Sequence, residues 1–516
     1  MQFHRSTTVQ CVASLLVLVI SMCAGNFGKA AELAAFPGAV GQGAAATGGR
    51  GGDVYHVTTL EDYHPDKETK IVGSFRHAVR SAEGPRTIVF DVGGAIALHA
   101  PFKIFKSDLT IAGQTAPGMG ITLWGYPMEV GKNSNVVVRY LRVRLGDFHA
   151  RRSDSEKPHP YEGNNDLDPG SANALYIGGG CDRVIFDHVS ASWGMDETFS
   201  VTICKNVTVQ NCIIAHSLNN SFHPKGEHGY GSLIRGEVTP QDQAAGVGGF
   251  TLYQNLWAHH RARNPSLGGQ QAVSSKQSES DRRGNDVNLL NNVIYNWRDQ
   301  AAHRSEFGQV RANVIGNYFV CGPAKSVDRI FQEKTADKTH VFQTGNFSDT
   351  DQDAEHNGTP ISTAKQVAAA FTSFDEQDQL LSEESGEAFS FVTGVAKSVK
   401  TADAAYNEVV SSVGCSLARD SIDEALINSL VQRTGKLIDS QEEYRSAAGQ
   451  LAGIDDLAEE HRPADFDSDG DGLPNEFELR HKLDPNDAAD GNGTNLSDAG
   501  YTNLEVYLDH IVTNKS

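Results

Sequence analysis

Asp182-Arg-Val-Ile-Phe-Asp-His-Val-Ser190 and Lys205-Asn-Val-Thr-Val-Gln-Asn-Cys-Ile-Ile214 share one template: a polar start, a β-branched strand, an Asn or His, an apolar pair and a turn. Gly249-Phe-Thr-Leu-Tyr-Gln-Asn-Leu-Trp257, Asn285-Asp-Val-Asn-Leu-Leu-Asn-Asn-Val-Ile294 and Arg311-Ala-Asn-Val-Ile-Gly-Asn-Tyr-Phe319 repeat it. Close copies start about 23 residues apart, and polar loops fill the larger gaps. A repeat of that length with three short strands cannot bury its inner face alone. It does so by stacking on its neighbours, which predicts an all-β fold, a parallel β-helix. Equivalent positions on adjacent coils then lie about 4.8 Å apart. Working outward, short apolar or β-branched runs such as Val54-Tyr-His-Val-Thr58 and Thr87-Ile-Val-Phe-Asp-Val92 extend the pattern from about Phe36 to Phe319. A β-sandwich would instead place Asn-Gly or Asp-Gly hairpins between matched strands, and those are scarce.

The stretch from Arg183 to Arg263 also carries polar clusters in a telling order: Asp196 and Glu197, then Lys225, then Arg261 and Arg263. Carboxylates that can hold a hard cation, followed by three fixed positive charges, are what an acidic sugar polymer requires. The whole chain of 516 residues holds 44 Lys or Arg against 65 Asp or Glu, a net charge of −21. That balance argues against nucleic acid, whose phosphates demand a basic face. From Leu451 onward there are 16 acidic residues and 4 basic ones. A bridging cation would ease the repulsion between such a protein and a polyanionic substrate.

Residues 1–30 have the pattern of an export signal: His4 and Arg5, an apolar core from Val12 to Ile20, and the small-residue site Gly28-Lys-Ala30. The apolar run falls short of the roughly 20 residues of a membrane span. The expected location is therefore outside the cytoplasm, secreted or periplasmic, with lipid attachment at Cys23 the lesser alternative. Cys181, Cys204, Cys212, Cys321 and Cys415 would remain in the exported chain. They are odd in number and lack a CxxC pair, so they read as small buried side chains with one disulfide at most.

Four segments follow: a signal at 1–30, a coil at 31–345, a mainly helical extension at 346–460 and a tail at 461–516. Thr363-Ala-Lys-Gln-Val-Ala-Ala-Ala-Phe371 and Ile422-Asp-Glu-Ala-Leu-Ile-Asn-Ser-Leu-Val431 have helical spacing and would lie along the outside of the coil. In the tail, Asp467-Ser-Asp-Gly-Asp-Gly-Leu-Pro-Asn-Glu-Phe-Glu478 fits a twelve-residue calcium loop. Asp467, Asp469 and Asp471 supply positions 1, 3 and 5, the Leu473 carbonyl position 7, Asn475 position 9 and Glu478 position 12. Three alternating aspartates would repel one another without a cation. Asn495-Leu-Ser-Asp-Ala-Gly-Tyr-Thr-Asn-Leu-Glu-Val506 reads as a degenerate second copy, with Ala499 and Val506 where ligands should be.

The blocks Asp187-His-Val-Ser-Ala-Ser-Trp-Gly-Met-Asp-Glu197, His223-Pro-Lys-Gly226 and Arg261-Ala-Arg-Asn-Pro265, with Phe36-Pro-Gly-Ala39 and Ala112-Gly-Gln-Thr-Ala-Pro-Gly118, resemble the pectate lyase family of polysaccharide lyases. The resemblance spans roughly Ala35 to Gln441; the tail from Asp465 resembles EF-hand-like or thrombospondin-repeat-like calcium modules. It implies a right-handed parallel β-helix and calcium-assisted (Ca2+) β-elimination of polygalacturonate to 4,5-unsaturated products. On the family's motif Arg263 takes the place of the base, Lys225 that of the lysine on the substrate carboxylate, and Arg261 stands beside them. Asp196 and Glu197 match acidic ligand positions. The acidic pair that the family places before the Ala174-Leu-Tyr-Ile177 strand falls on Ser171 and Asn173, leaving Asp166, Asp168 and Asp187 as further carboxylates. For His188, His216, His259 and His260 structural hydrogen bonding is the expected role. A monomer without a membrane span is the expected state. The alternatives are a pectin lyase on methyl-esterified polymer and a non-catalytic β-helix that binds polysaccharide.

Overall fold

The computed structural model describes residues 33–152, 163–269, 283–304, 308–324, 329–332, 339–372, 374, 379–383, 385–392 and 395–514. The expected export signal lies outside the described residues. Residues from Leu33 on form one compact unit.

Each coil contributes strands in a fixed order to three parallel sheets, as Leu175–Gly178, Asp182–Asp187 and Ser190–Ser192 do in one coil. We call these the cleft, back and covered sheets. Leu175–Gly178 pairs in parallel with Met128–Gly131 on one side and with the start of Phe199–Gln210 on the other, and the same direction holds down the stack. The template decides this. The five quoted repeats become neighbouring strands of the back sheet, joined through Asp187↔Gln210, Gln210↔Tyr253, Tyr253↔Leu290 and Leu290↔Ile315.

The residue after each strand turns the chain, whether Asn, His, Tyr, Gln or Gly. Tyr140, His188, Asn211, Gln254, Asn291, Gly316 and Gly345 follow equivalent back-sheet positions, and all seven have φ between 51° and 63°. Asn and Gly tolerate that left-handed region, which is why the template carries them at this point. The next residue in four of these coils is a wholly buried asparagine: Asn255, Asn292, Asn317 and Asn346. Each backbone N–H of the first three donates to the side-chain oxygen of the next, at 2.9, 2.9 and 3.0 Å. Their Nδ2 atoms donate inward to Val209 O, Leu252 O and Leu289 O. The ladder satisfies polar groups that the tight corner would otherwise leave buried and unpaired.

The coil runs further than the boundary at 345. Thr339–Thr344 pairs in parallel with Leu380–Leu381, and Phe331–Gln332 with Phe371–Thr372, so the stack reaches Leu381. The extension is accordingly not mainly helical. Among the described residues its α-helices are few: Ala364–Ala370, Ala402–Ser412 and Ser421–Gln432. Ala402, Tyr406, Val409, Ile422, Leu426 and Leu430 join the main apolar core. Arg144 of the covered sheet is wholly buried and bridges Asp420 and Asp423, its Nη2 lying 2.8 Å from each. That ion cluster fixes where the Ser421–Gln432 helix starts, since the Asp420 side chain also caps it.

The tail docks on the first coils. Glu460–His461 pairs antiparallel with Val92–Gly93, and Leu473, Phe477, Leu504, Tyr507 and Leu508 form a small core with Ala112, against which Val54 packs. Cys181, Cys204, Cys212, Cys321 and Cys415 are all buried. Among the described residues no helix is long and apolar enough to cross a membrane.

Candidate active site

The loops that join the covered sheet to the cleft sheet carry the charged residues on consecutive coils. One holds Asp166 and Asp168, the next Asp196 and Glu197, the next His223, Lys225 and His228, the next Arg261 and Arg263. Isolated parallel bridges Glu197↔Tyr230 and Tyr230↔Ala262 stack these loops directly. Residues 66 apart in sequence are thereby neighbours: Arg263 Nη1 donates to Glu197 Oε1. The Arg263 guanidinium also lies 4.1 Å from the Tyr230 ring centroid, a cation–π arrangement.

Glu197 is 3 % exposed, and its backbone N–H is held by Asn173 Oδ1 at 3.1 Å. Burial, then the Asp196 charge, pushes its carboxyl up to about 7 against the pull of Arg263. Burial also raises Asp196, with Arg263 and Lys225 opposing. Asp196 Oδ1 lies 2.8 Å from His228 Nε2 and 3.6 Å from His223 Nε2, and the two imidazoles stack at 3.7 Å. His223 Nδ1 accepts the Lys225 backbone N–H at 3.1 Å, which puts the proton of its neutral form on Nε2. Burial depresses both imidazoles to about 4. His228 is thus the close partner of Asp196, with His223 Nε2 beyond hydrogen-bond reach; a ligand atom from each of the three lies within 4.8 Å of the others, and the oxygens of Asp196 and Glu197 are the donors that suit a hard cation.

The remaining candidates separate. Lys225 is exposed, and its charge acts on Asp196, His223 and His228. Arg261 is already paired: Nε lies 2.5 Å from Asp299 Oδ2 and Nη1 3.3 Å from Glu227 Oε2, which Arg298 also holds. Asp168 is exposed, caps Gly170, and acts on Asp196 through space. Asp166 accepts from Tyr126 Oη at 2.8 Å in a groove of 510 Å3 lined also by Glu129, Asp168, Asn173 and Tyr176.

Asp187 does not belong to this site. It ends a back-sheet strand, is wholly buried, and takes 2.8 Å from Arg139 Nε, 2.9 Å from Gln210 Nε2 and 3.0 Å from Asn211 Nδ2. Burial pushes its carboxyl up, but His188 and Arg139 outweigh that and hold it far below the usual range. The histidines have their structural partners: His259 with Ser429 and Asn296, His260 with Ser217 and Ile214 O, His216 with Tyr444.

In the tail, Asp467, Asp469 and Asp471 converge, as do Asp471, Glu478 and Asp490, each set with oxygens within 4.8 Å of one another. Burial first, then the neighbouring aspartates, raises Asp471 to about 7 and Glu478 to about 8. The Leu473 side chain is buried in the tail core. Asn475 is a correction: its Oδ1 accepts from Ser468 N and its Nδ2 donates to Asp465 O and Ser468 Oγ, so the loop itself uses the amide. Sequence reading missed Tyr230, His223, His228 and Asp490. The first three lie inside the motif blocks or beside them, but nothing in their spacing marks them as partners of Arg263 and Asp196.

No protein-family model matches the chain. A curated protein of Emericella nidulans called probable pectate lyase C is 33% identical over 485 residues, which is 93% of this chain and 93% of that protein. A protein of the same name from Aspergillus fumigatus is 33% identical over 501 residues, 96% and 97% of the two chains. Among solved structures, the cedar-pollen allergen jun a 1 superposes with a TM-score of 0.47 at 17% identity, over 73% of this chain and 92% of that one. Identity sustained over nearly the whole of both curated relatives, on a coil that stacks acid, lysine and arginine in register, makes this chain a member of the pectate lyase family of polysaccharide lyases.

Proposed function

We propose that the protein is an exported pectate lyase that cleaves α-1,4-linked polygalacturonate by calcium-assisted β-elimination. The observation that carries this is the stacking of Asp196 and Glu197 on the same face as Lys225 and Arg263, with Arg263 on Glu197. Asp196 and Glu197 would hold the calcium ion, with Asp168 a further carboxylate whose charge acts on Asp196. When bound there, the ion supplies Lewis acidity toward a uronate carboxylate and so acidifies the proton on C5.

The chain's own residues do the rest. Lys225, exposed at the rim, is placed to pair with a uronate carboxylate. Glu197 would serve either the ion or Arg263, and a Glu197 given over to the ion would leave the Arg263 guanidinium available to the C5 proton. As a guanidinium it stabilises the enediolate-like anion; as the family's base it must first lose its proton, which Lys225 nearby favours. Tyr230 beneath it limits the planes that Arg263 can adopt. Arg261, neutralised by Asp299 and Glu227, positions the loop and contributes little charge. The export expectation for residues 1–30 and the calcium loop of the tail, Asp467 to Glu478, belong to the same reading.

The test is product absorbance from polygalacturonate and from methyl-esterified pectin, with and without chelator. Product from polygalacturonate that disappears with chelator supports the proposal. Product from methylated pectin alone, indifferent to chelator, would point to a pectin lyase, and no product from either to a binding protein.

A further inference from the structure

We propose that the tail's cation site is built from two loops, with Asp490 as a ligand in place of Asn475, and that the ion clasps the tail onto the first coils. This rests on the reading that the tail holds calcium. The carboxylate oxygens divide sharply. One oxygen of each aspartate outside position 1 is occupied by a backbone N–H: Asp469 Oδ1 by Asp471, Asp471 Oδ1 by Leu473 at 2.8 Å, Asp490 Oδ2 by Asp484 at 2.9 Å. Asp467 accepts at both oxygens, from Gly470 and Gly472.

Five oxygens are left buried without a hydrogen bond: Asp469 Oδ2, Asp471 Oδ2, both oxygens of Glu478 and Asp490 Oδ1. Glu478 is 0% exposed. A wholly buried carboxylate with both oxygens unpaired is costly unless a proton or a cation meets it, and a cation answers all five oxygens at once. Calcium takes six to eight oxygens, so five inward-facing ones with Asp467 make a sufficient set. Asp490 comes from beyond the twelve-residue loop, where no loop motif would place it. Its segment is shaped for the approach: a Cβ on Gly491 would stand 2.3 Å from Asp471 Oδ2, so a side chain there would push that carboxylate aside. The Asn503 amide fixes the turn by donating to Asp490 O at 2.8 Å while contacting Asn495. The degenerate second loop thus survives as the scaffold for one ligand.

The two loops and the helix that follows them grip the coil. Asn492 Nδ2 donates to Gly52 O at 3.0 Å, Arg50 Nε pairs with Glu505 at 2.7 Å, and His56 Nε2 lies 3.4 Å from Asp467 Oδ2. Drawing Asp467 and Asp490 to one ion therefore holds both loops against the strand Asp53–Val57 and the turn before it.

The experiment uses the full chain, with calcium alone as the probe. Bound ions are counted by equilibrium dialysis, melting is followed against calcium concentration, and amide exchange is read at Asp53–Val57. The wild type and Asp196→Asn are expected to share a calcium-dependent rise in melting temperature and slower exchange at Asp53–Val57. Asp490→Asn should weaken that tail binding at least tenfold and shrink the rise. In chelator it should melt no lower than the wild type, since losing a charge relieves repulsion, and this separates ligand loss from misfolding. Unchanged affinity in Asp490→Asn overturns the two-loop site while leaving a tail ion in place. Exchange at Asp53–Val57 indifferent to calcium overturns the clasp. If neither wild type nor Asp196→Asn binds an ion outside the cleft, the tail reading itself is wrong and the inference falls with it.

Discussion

Arg263 donates to a carboxylate oxygen of Glu197 that is almost entirely shielded from water, although the two residues lie on different coils. On the proposed reading that oxygen would also face the cation, and the pairing would tie substrate chemistry to metal occupancy.

Replacing Arg263 by alanine should lower turnover on polygalacturonate by at least about 10²-fold, the scale for removing a group that stabilises developing charge in a closed site. The same change strips Glu197 of its partner. Steady-state kinetics beside a far-ultraviolet spectrum would check both; an intact fold with near-wild-type kcat would mean that another residue handles the C5 proton.

Arg261→Ala should cost less than about tenfold in kcat/KM, since Asp299 and Glu227 already neutralise its charge and exposed pairs of this kind contribute little. A loss as deep as that of Arg263→Ala would contradict the pairing.

Calcium demand should depend on pH. Burial and Asp196 raise Glu197 to about 7, and a ligand carboxylate must be ionised to bind. The half-saturating calcium concentration is therefore expected to climb as pH falls below about 7, approaching tenfold per pH unit. Titrating activity with calcium at pH 8, 7 and 6 reads this directly, and a constant midpoint would refute it.

The coil should lose stability in acid. Burial depresses His259 to about 3 and His260 to about 4, and lowers His216 further than ordinary histidines go. Unfolded, each titrates near 6.5. Between about pH 6.5 and 4 the unfolded chain binds protons that the fold refuses, so their contribution is complete above 6.5 and drains away as pH falls. The slope is about 1.4 kcal/mol per pH unit for each histidine. Urea midpoints at pH 7 and pH 5 measure it; equal midpoints would rule it out.

Asn317→Ala should destabilise the coil by about 2–6 kcal/mol, because it orphans the Asn292 N–H and the Leu289 carbonyl, each buried, at about 1–3 kcal/mol apiece. Urea unfolding gives the value, and a loss under about 1 kcal/mol would mean that the corner repairs itself.

The template was legible because a stacked coil repeats the same burial at every turn, so the spacing of Val184, Val207 and Val287 already encodes the back sheet. The Asn or His after the strand was legible too, but not the left-handed corner, which Tyr140 and Gln254 also take. The end of the coil was not. Leu380 and Leu381 pair with Thr339–Thr344 across residues whose composition reads as loop, and two-residue strands leave no periodicity to find.

The site was readable in outline and not in detail. Asp187 and Asp196 are both acids of one motif block, yet the chain turns a corner between them, and only the corner sends one to Arg139 and the other to His228. Similarly, Asn475 satisfies the spacing of a calcium loop while its amide is used by neighbouring backbone, and Asp490 satisfies no spacing at all.

The sequence alone determined the repeat, the order of acid, lysine and arginine along it, and the aspartate rhythm of the tail, because each of these is a local pattern written at fixed intervals. Tertiary structure decided which carboxylate meets which cation. Those pairings join residues tens of positions apart, and their distances depend on loop lengths and on how coil stacks upon coil.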